Sequence, residues 1–589
     1  MAERASRRST REGWLARAGF ADAAGTDREL DSPELAEVAG DEELLLAVSR
    51  TADPDRGLRA LGRLLSAAPD RTDLVAALRT DEPFRDRLLA VLGFSTVLGD
   101  HLVRHPGQWH DVRGLDANRR PRHDELVAAL GRATDVPALR VEYRRLLLQL
   151  AALDLTDELD IAPVSAELAE VAAATLAAAL AMAATELPEG AEPCRLAVIG
   201  MGKAGGGELN YVSDVDVIFV AEPVDGGDET AALKRATALA TRMMRICSQH
   251  TPEGTIWPVD AGLRPEGKAG PLVRTVASHL AYYRGWAKTW EFQALLKARH
   301  LAGDRDLAEA YLDAVCPLVW QAADRDGFVD DVRAMRRRVA DHVRPAEADR
   351  QLKLGPGGLR DVEFAVQLLQ LVHGRTDEAL RSPNTLVALD ALIQGGYVGR
   401  ADGAVLDEAY RFLRMLEHRI QLQRLRRTHV LPTGEDDLRR LGRALGMRQA
   451  PVEELTETWR RHALEVQRLH EKLFYRPLLT AVARLPGEEA RLTTEAARQR
   501  LEALGYLDPA GALRHLESLT KGVSRRAAIQ RTLLPVLLGW FADGPEPDAG
   551  LSGFRKVSDA LGDTHWYLRL LRDERAAAER MAKILSSGR

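Results

Sequence analysis

The stretch Leu196–Val220, which reads LAVIGMGKAGGGELNYVSDVDVIFV, decides the fold at the centre of the chain. Its first apolar run, Leu196–Ile199, predicts a β-strand that leads into a glycine-rich turn. A second apolar run follows Ser213 and predicts another strand. Because alternate side chains of a strand share a face, Asp214 and Asp216 should point to the same side, with the valines between them facing a core.

Two carboxylates on one face of a strand repel each other, and a cation relieves that repulsion. Mg²⁺ prefers oxygen ligands and fits such a pair. A third carboxylate is expected from a neighbouring strand, and Asp260 is the best candidate because the run Thr255–Val259 predicts a strand directly before it. Asp214, Asp216 and Asp260 are therefore the predicted catalytic and metal-binding residues. Two metal ions on such carboxylates stabilise the entering and leaving oxygens of a displacement at phosphorus.

The glycine pattern also matches a dinucleotide fingerprint, because Gly200, Gly202 and Gly205 give GxGxxG directly after a predicted strand. Eight residues separate Gly205 from Asp214, which is too few for the crossover helix that a dinucleotide-binding unit requires. A P-loop is excluded because no Ser or Thr follows Lys203. The glycines then fit close approach of the backbone to a phosphate, as in metal-dependent nucleotidyl transfer.

Three further cations are predicted to bind substrate or phosphate. Arg264 lies four residues after Asp260. Lys353 and Arg360 flank a glycine-rich loop, Gly355–Gly358, that interrupts a helical region. Guanidinium and ammonium groups at a helix start are suited to phosphate oxygens.

Other charged groups favour plainer interpretations. His110 and His123 are each followed by Asp, but they lie in a Pro- and Arg-rich region without the partner spacing of a metal site, so we expect surface residues. The arginine runs 336–338 and 424–427 fall on predicted helices, where solvated faces are expected.

The composition bounds the remaining possibilities. A chain of 589 residues should hold several domains, and 5% aromatic content favours helix over sheet. A net charge of −6 gives no basic field for nucleic acid. The three cysteines are far apart, which predicts reduced, buried thiols in a cytoplasmic protein. No signal peptide is predicted, and the near-apolar run 171–185 predicts a buried helix rather than a membrane span.

These patterns predict a mainly α chain with one α/β domain. The predicted divisions are a flexible tail (1–40), an N-terminal helical domain (41–186), the α/β domain (187–302), a second helical domain (303–484) and a helical connector (485–589).

At this point the residues resemble a known family, the bacterial glutamine synthetase adenylyltransferase/adenylyl-removing enzymes. The similarity covers nearly everything after about residue 40. Its motifs are GMGKAGGGELNYVSDVDVIF from Gly200, VDAGLRP from Val259, WEFQALLKAR from Trp290, KLGPGGLRDVEF from Lys353 and YRFLRMLEHR from Tyr410.

The resemblance implies a polymerase-beta-like nucleotidyltransferase domain, residues 187–302, flanked by helical domains. The family has two homologous halves, and no second GGxELNxxSDxD occurs here, so we expect the N-terminal half plus a connector (485–589) to a missing second half. In the family, that half removes AMP from a tyrosine of glutamine synthetase by phosphorolysis and releases ADP. The other half attaches AMP from ATP, and a PII-type nitrogen signal protein and glutamine control the balance.

By position, the resemblance implies that Asp214, Asp216 and Asp260 bind Mg²⁺ and that Gly205, Gly206 and Ser213 form a phosphate-binding turn. Gly262 and Phe292 depart from the family, which often has arginine at the first position and usually has it at the second. Each departure removes a potential phosphate contact.

Two other interpretations remain open from the residues. One is a different nucleotidyltransferase, such as a protein uridylyltransferase or an RNA-tailing enzyme, although the acidic balance disfavours RNA. The other is a helical regulatory module without catalysis, which the three intact carboxylates disfavour. The expected partners are glutamine synthetase, a PII-type signal protein, ATP or ADP, and phosphate, with no nucleic acid and no membrane.

Overall fold

A computed structural model describes residues 11–186, 193–325 and 344–482, together with 328, 331 and 498. It also describes 501–587 apart from 503, 521–524, 562–566, 568–570 and 572–574. The chain divides into two compact units, Met1–Arg468 and Leu469–Arg589. This boundary falls earlier than the one predicted after residue 484, and the finer divisions within the first unit stay predictions.

The first unit begins with helices. Their bounds are α1 Arg11–Ala18, α2 Ala23–Leu30, α3 Glu42–Ser49, α4 Pro54–Ala67, α5 Arg71–Thr80, α6 Glu82–Leu92, α7 Thr96–Arg104, α8 Trp109–Arg113, α9 His123–Gly131, α10 Val136–Leu155 and α11 Ile161–Glu186. Aspartates cap several of them: Asp41, Asp53 and Asp135 each accept a hydrogen bond from a backbone N–H of the first turn.

Residues 11–40 form α1 and α2, which corrects the prediction of a flexible tail for this segment; residues 1–10 lie outside the described part. Leu15 and Leu30 are buried. Asp55 of α4 anchors the segment, because its carboxylate accepts hydrogen bonds from the Ala21 N–H (2.8 Å) and the Thr26 hydroxyl (2.7 Å). The polar composition of residues 11–40 gave no sign that they pack against the helices, because the packing depends on a few buried apolar side chains and one buried carboxylate.

Helix α11 contains the alanine-rich run and is a buried helix, as predicted. It packs against α9 and α10 and against a helix of the α/β region. Its 26 residues are long and apolar enough to cross a membrane by length and composition, and 61% of the most apolar window is buried inside the protein. Core helices of globular proteins meet the same criterion.

The α/β region follows α11. Its elements are β1 Cys194–Gly200, α12 Gly202–Gly205, β2 Val215–Pro223, α13 Glu229–Ser248, β3 Val259–Asp260, β4 Val273–Arg274, α14 Val276–Gly285, α15 Thr289–Leu295, β5 Arg299–Gly303 and α16 Arg305–Trp320. The mainly α fold with one α/β region is therefore confirmed.

The sheet has the order β3-β2-β1-β5, and β4 also pairs with β2. Strands β1 and β2 are antiparallel, whereas β2 and β3 are parallel. Residues 217–221 of β2 are all fully buried. A strand buried on both faces needs cover on both sides, which α13 and α16 provide by packing against β1 and β2.

The predicted strand Thr255–Val259 is wrong in extent, since within residues 255–260 the register with β2 covers Val259 and Asp260. Of the residues before them, Pro258 accepts one hydrogen bond from the Val215 N–H at 3.1 Å. The short pairing is enough to place Asp260 directly opposite Asp216 in the parallel register.

The remaining helices of the first unit are α17 Leu359–His373, α18 Thr385–Gln394, α19 Arg400–Leu422, α20 Glu435–Ala444 and α21 Pro451–Val482, which extends past residue 468. The second unit contains α22 Pro509–Thr520, α23 Arg525–Ala542, α24 Pro547–Ala560 and α25 Arg575–Ser587. Its own core includes Leu537, Phe541, Leu551 and Phe554. The cysteines are free, as predicted; Cys247 is buried, but Cys316 is exposed.

The glycine turn between β1 and β2 is tightly packed at Gly205. A Cβ added there would overlap the carbonyl oxygens of Lys297 and Gly200. Both obstacles are backbone atoms, which cannot rotate away. Glycine is therefore required at this position by packing.

We predict that Gly205→Ala lowers the free energy of unfolding by about 3 kcal/mol, because overpacking against backbone shifts the turn and the strands on either side. Urea unfolding followed by circular dichroism measures this effect. The matched control is Gly131→Ala in α9, where an added Cβ meets nothing within 4 Å. That change should leave stability unchanged or raise it by up to about 1 kcal/mol, and equal effects at the two positions would contradict the packing argument.

Candidate active site

The three predicted carboxylates meet at one edge of the sheet. Asp214 directly precedes β2, Asp216 is the second residue of that strand, and Asp260 is the last residue of β3. Val215 and Val217 are buried on the opposite side, as the alternation predicts. The parallel pairing of β2 with β3 brings Asp260 beside Asp216.

The carboxylates line a cavity with a volume of about 440 Å³. Six predicted residues contribute to its wall: Ser213, Asp214, Asp216, Asp260, Lys353 and Arg360. The cavity therefore joins acidic groups at the sheet edge with one cation from the loop before α17 and one from the first turn of that helix. Such a division of charge suits a phosphate that is bridged to carboxylates by a cation.

Asp216 lies in the most demanding position. Burial, with the neighbouring Asp260 and Asp214 carboxylates adding to it, raises the pKa of Asp216 to about 6, although Lys353 acts in the opposite direction. Gly202 approaches this side chain closely: its φ is +52°, and an added Cβ would lie 2.6 Å from Asp216 Oδ2. The first glycine of α12 thus makes room for a carboxylate.

Asp260 is held by the backbone. Its Oδ1 accepts a hydrogen bond from the Gly262 N–H at 2.7 Å. Gly262 departs from the family pattern, and here its backbone donor orients a carboxylate in the cavity. Among the described residues, no side chain or backbone group donates a hydrogen bond to Oδ2 of Asp260.

Arg427 is a site residue that the sequence analysis missed. Its Nη1 lies 2.5 Å from Asp214 Oδ2, and its side chain is 55% exposed. Arg427 is exposed, as predicted, but the run 424–427 follows α19 instead of lying on a helix, and Arg427 also contacts a cavity carboxylate. The run 336–338 lies outside the described residues. No local pattern marks Arg427, because its partner is 213 positions earlier in the chain.

Three predicted phosphate-binding residues do not line the cavity. Gly205 and Gly206 pack against the backbone carbonyls of Lys297 and Pro383. The Arg264 guanidinium donates to the carbonyl oxygens of Ala261 (2.8 Å) and Gly270 (3.0 Å). These contacts give the glycines a packing role and make Arg264 the brace of the loop that follows β3.

Lys353 and Arg360 are placed by a closed loop. The Leu359 N–H donates to the Leu352 carbonyl (2.8 Å), and the Arg360 N–H donates to the Lys353 carbonyl (3.0 Å). Gly357, with φ +72°, packs against the backbone of α21, where a Cβ would not fit. These contacts fix the loop and the first turn of α17, which hold Lys353 and Arg360 at the cavity.

A buried ion cluster begins at the cavity wall, which Lys203 lines, and ties α12 to α19. Lys203 Nζ donates to both oxygens of Glu417, at 3.0 and 2.8 Å. Arg414 Nη1 and His429 Nδ1 also contact this carboxylate, each at 2.8 Å. Burial lowers the pKa of Lys203 to about 7, with Arg414 adding to the effect. Burial alone would raise the pKa of Glu417, but Lys203 and Arg414 hold it well below its usual range.

A second buried pair closes the other side of the turn. Lys297 Nζ contacts Glu208 and donates to the Thr385 hydroxyl at 3.0 Å. The Thr385 N–H donates to Glu208 Oε2 at 2.9 Å. Glu208, which precedes β2, is therefore bonded both to Lys297 in the turn after α15 and to Thr385 at the start of α18.

His110 and His123 lie at the surface, as predicted. His110 Nε2 contacts Asp70 at 2.7 Å, and His123 Nδ1 contacts Glu170 at 2.9 Å. Both imidazoles are more than two-fifths exposed. Each histidine thus makes one polar contact to a carboxylate at the surface.

Comparison with known proteins agrees with this geometry. Residues 85–327 match the family model for glutamate-ammonia ligase adenylyltransferase, and residues 333–474 match that for GlnD PII-uridylyltransferase. The first match contains all three carboxylates, and the second contains Lys353, Arg360 and Arg427. The class that fold and site define is the nucleotidyltransferases.

Curated relatives narrow the class. The chain is 62% identical over 590 residues to the bifunctional glutamine synthetase adenylyltransferase/adenylyl-removing enzyme of Streptomyces coelicolor, covering 99% of this chain and 59% of that protein. It is 62% identical to the enzyme of the same name from Streptomyces avermitilis, and 50% identical to that of Mycolicibacterium smegmatis over 92% of this chain and 56% of that protein. Nearly the whole chain is thus similar to this family, and it spans somewhat more than half the length of these relatives.

We predict that Glu417→Gln lowers the free energy of unfolding of the first unit by about 3–5 kcal/mol, because it leaves the buried Lys203 and Arg414 charges without a counter-ion. Urea unfolding followed by tryptophan fluorescence provides the measurement. Adding Lys203→Met to Glu417→Gln should recover part of the loss.

The control is Glu435→Gln, which removes an exposed carboxylate 2.6 Å from Arg439. Little change is expected there because exposed ion pairs contribute little. If the two single variants unfold at the same urea concentration, the buried cluster does not have the stabilising role assigned to it.

Proposed function

We propose that this chain removes AMP from a tyrosine of glutamine synthetase by phosphorolysis. In this reaction an oxygen of inorganic phosphate forms a bond to the adenylyl phosphorus. The bond from phosphorus to the tyrosine oxygen breaks, and the tyrosine oxygen takes up a proton. The products are ADP and unmodified glutamine synthetase. The meeting of Asp214, Asp216 and Asp260 at the cavity edge is the observation that carries the proposal.

The donor set fits a divalent oxygen-binding cation. Asp214, Asp216 and Asp260 present carboxylates to one cavity, and their mutual repulsion is the kind that bound Mg²⁺ removes. When bound, Mg²⁺ would stabilise negative charge on the oxygens that enter and leave at phosphorus.

The chain's own cations would hold the attacking phosphate. Arg360 lies with its guanidinium carbon 5.2 Å above the Phe364 ring, which fixes its direction. Its buried Nε has no hydrogen-bond partner among the residues that the structure describes. A buried donor without a partner is costly, and a phosphate oxygen would satisfy it. Lys353 lines the same wall and would neutralise a second negative charge of the bound phosphate.

We propose adenylyl rather than uridylyl transfer because of the residues that each family model matches. The uridylyltransferase model covers residues 333–474, which include none of the three carboxylates. The adenylyltransferase model covers all of them. The helical match instead supports regulation by a PII-type signal protein. We place the enzyme in the cytoplasm, where its three free thiols would stay reduced.

We predict that Asp214→Asn abolishes phosphate-dependent ADP release from adenylylated glutamine synthetase, because the neutral amide binds a divalent cation weakly. ADP is measured by chromatography, and circular dichroism checks that the fold survives. Asp225→Asn, an exposed residue after β2, is the matched control and should keep full activity. Wild-type activity in Asp214→Asn would refute the assignment of the site.

We also predict that Arg427→Ala tightens Mg²⁺ binding, because its guanidinium competes with the metal ion for Asp214 Oδ2. Isothermal titration with MgCl₂ gives the dissociation constant directly. Arg424→Ala removes an exposed arginine of the same run and serves as the control. Unchanged or weaker Mg²⁺ binding in Arg427→Ala would show that Arg427 is not a competitor at this carboxylate.

A further inference from the structure

A second group of metal-binding side chains lies at the end of α7, outside the residues that line the cavity. His101 is in the last turn of α7 and His105 caps it, with their ring centroids 4.8 Å apart. Glu253 approaches from the turn Thr251–Gly254, which follows α13. One ring nitrogen of each histidine and one carboxylate oxygen lie within 4.8 Å of one another.

The spacing is close to that of a metal site. Three atoms no more than 4.8 Å apart lie within about 2.8 Å of a common centre, and Zn²⁺ bonds to nitrogen and oxygen are about 2.0–2.2 Å long. Side-chain movements of less than about 1 Å would close the difference. The backbone of α7 and the turn would not need to move.

The imidazoles present free nitrogens. His101 is fully buried, and its Nε2 lies 2.9 Å from Gln108 Oε1. Because a carbonyl oxygen can accept but not donate, Nε2 carries the proton and Nδ1 presents its lone pair. Within the described residues, His101 Nδ1 and His105 Nε2 are buried and have no hydrogen-bond partner. Unsatisfied buried nitrogens are costly unless something outside the chain binds them.

The carboxylate is oriented with one oxygen available. Glu253 Oε2 lies 2.5 Å from Arg104 Nη1 and 3.9 Å from Arg144 Nη1. Glu253 Oε1 faces His105 Nε2 at 3.6 Å. The arginines therefore position Oε2 and leave Oε1 for a metal ion. Their charge disfavours a cation held by electrostatics alone and favours one that binds strongly to imidazole.

We propose that His101, His105 and Glu253 bind one Zn²⁺ ion, which joins α7 to the turn after α13. Two imidazole nitrogens and one carboxylate oxygen are a ligand set that Zn²⁺ accepts, with water completing a tetrahedral site. The hydrogen bond from His101 to Gln108 supplies the outer contact that metal-bound histidines usually make. The role is structural, and it does not depend on the nucleotidyl-transfer reaction.

The test measures zinc binding directly, in the full-length chain carrying Asp214→Asn and Asp216→Asn to remove binding at the cavity. After chelation and dialysis, ZnCl₂ titration with elemental analysis should give one bound equivalent per chain. Adding His105→Gln should weaken binding at least about 100-fold, and Gln108→Leu by about 10–100-fold. Zinc should raise the melting temperature of the parent and not that of His105→Gln.

The control is His123→Gln, which removes an exposed histidine and should leave zinc binding unchanged. If circular dichroism shows that His105→Gln does not fold, Glu253→Gln replaces it, with the same loss expected. Zinc binding that is absent in the parent, or equal in the parent and in a folded ligand variant, would overturn the proposal.

Discussion

The buried contact between Lys203 and Glu417 is the interaction on which the arrangement of the first unit depends. An ammonium and a carboxylate removed from water are tolerated only when they are paired in a fixed geometry. The pair therefore allows α12 one position relative to α19, and Arg414 of α19 strengthens this restriction by donating to the carbonyl oxygens of Glu208 and Leu209. Because α12 precedes Asp216 and makes room for it through Gly202, the position of α19 also determines the shape of the carboxylate edge.

The site itself follows from sheet topology. A parallel pairing of two residues is enough to put Asp260 beside Asp216, and no longer β3 is needed. Stability would be better served by fewer charges at this edge, since burial and like charges raise the pKa of Asp216. The unfavourable burial of charge is confined to Asp216 and its neighbours, and the surroundings are stabilised by the buried pairs Lys203–Glu417 and Lys297–Glu208. Local destabilisation at a rigidly supported site is typical of positions selected for chemistry.

The sequence was informative where the signal was local. Alternation in β2 predicts the common face of Asp214 and Asp216, and the short gap after Gly205 correctly excludes a dinucleotide fold. It was misleading for two arginines: Arg264 binds carbonyl oxygens of its own loop rather than the cavity, and Arg427 contacts the distant Asp214 from the segment after α19. Glycine is required for close approach in either case, so composition alone cannot tell whether the approaching group is a phosphate or, as at Gly205, a backbone carbonyl.

The cavity is built from segments that are far apart in the chain, and this has a consequence for synthesis. Asp214 reaches its position on the sheet early, but Lys353 and Arg427 complete the wall much later. At about 5–20 residues per second, a ribosome needs roughly 10–40 s to travel from Asp214 to Arg427. During that time Lys203 and Glu208 lack the helices that later bury them. The cavity wall is thus incomplete until most of the first unit has emerged, so incomplete translation products carry the glycine turn and the first two carboxylates without the cations that face them.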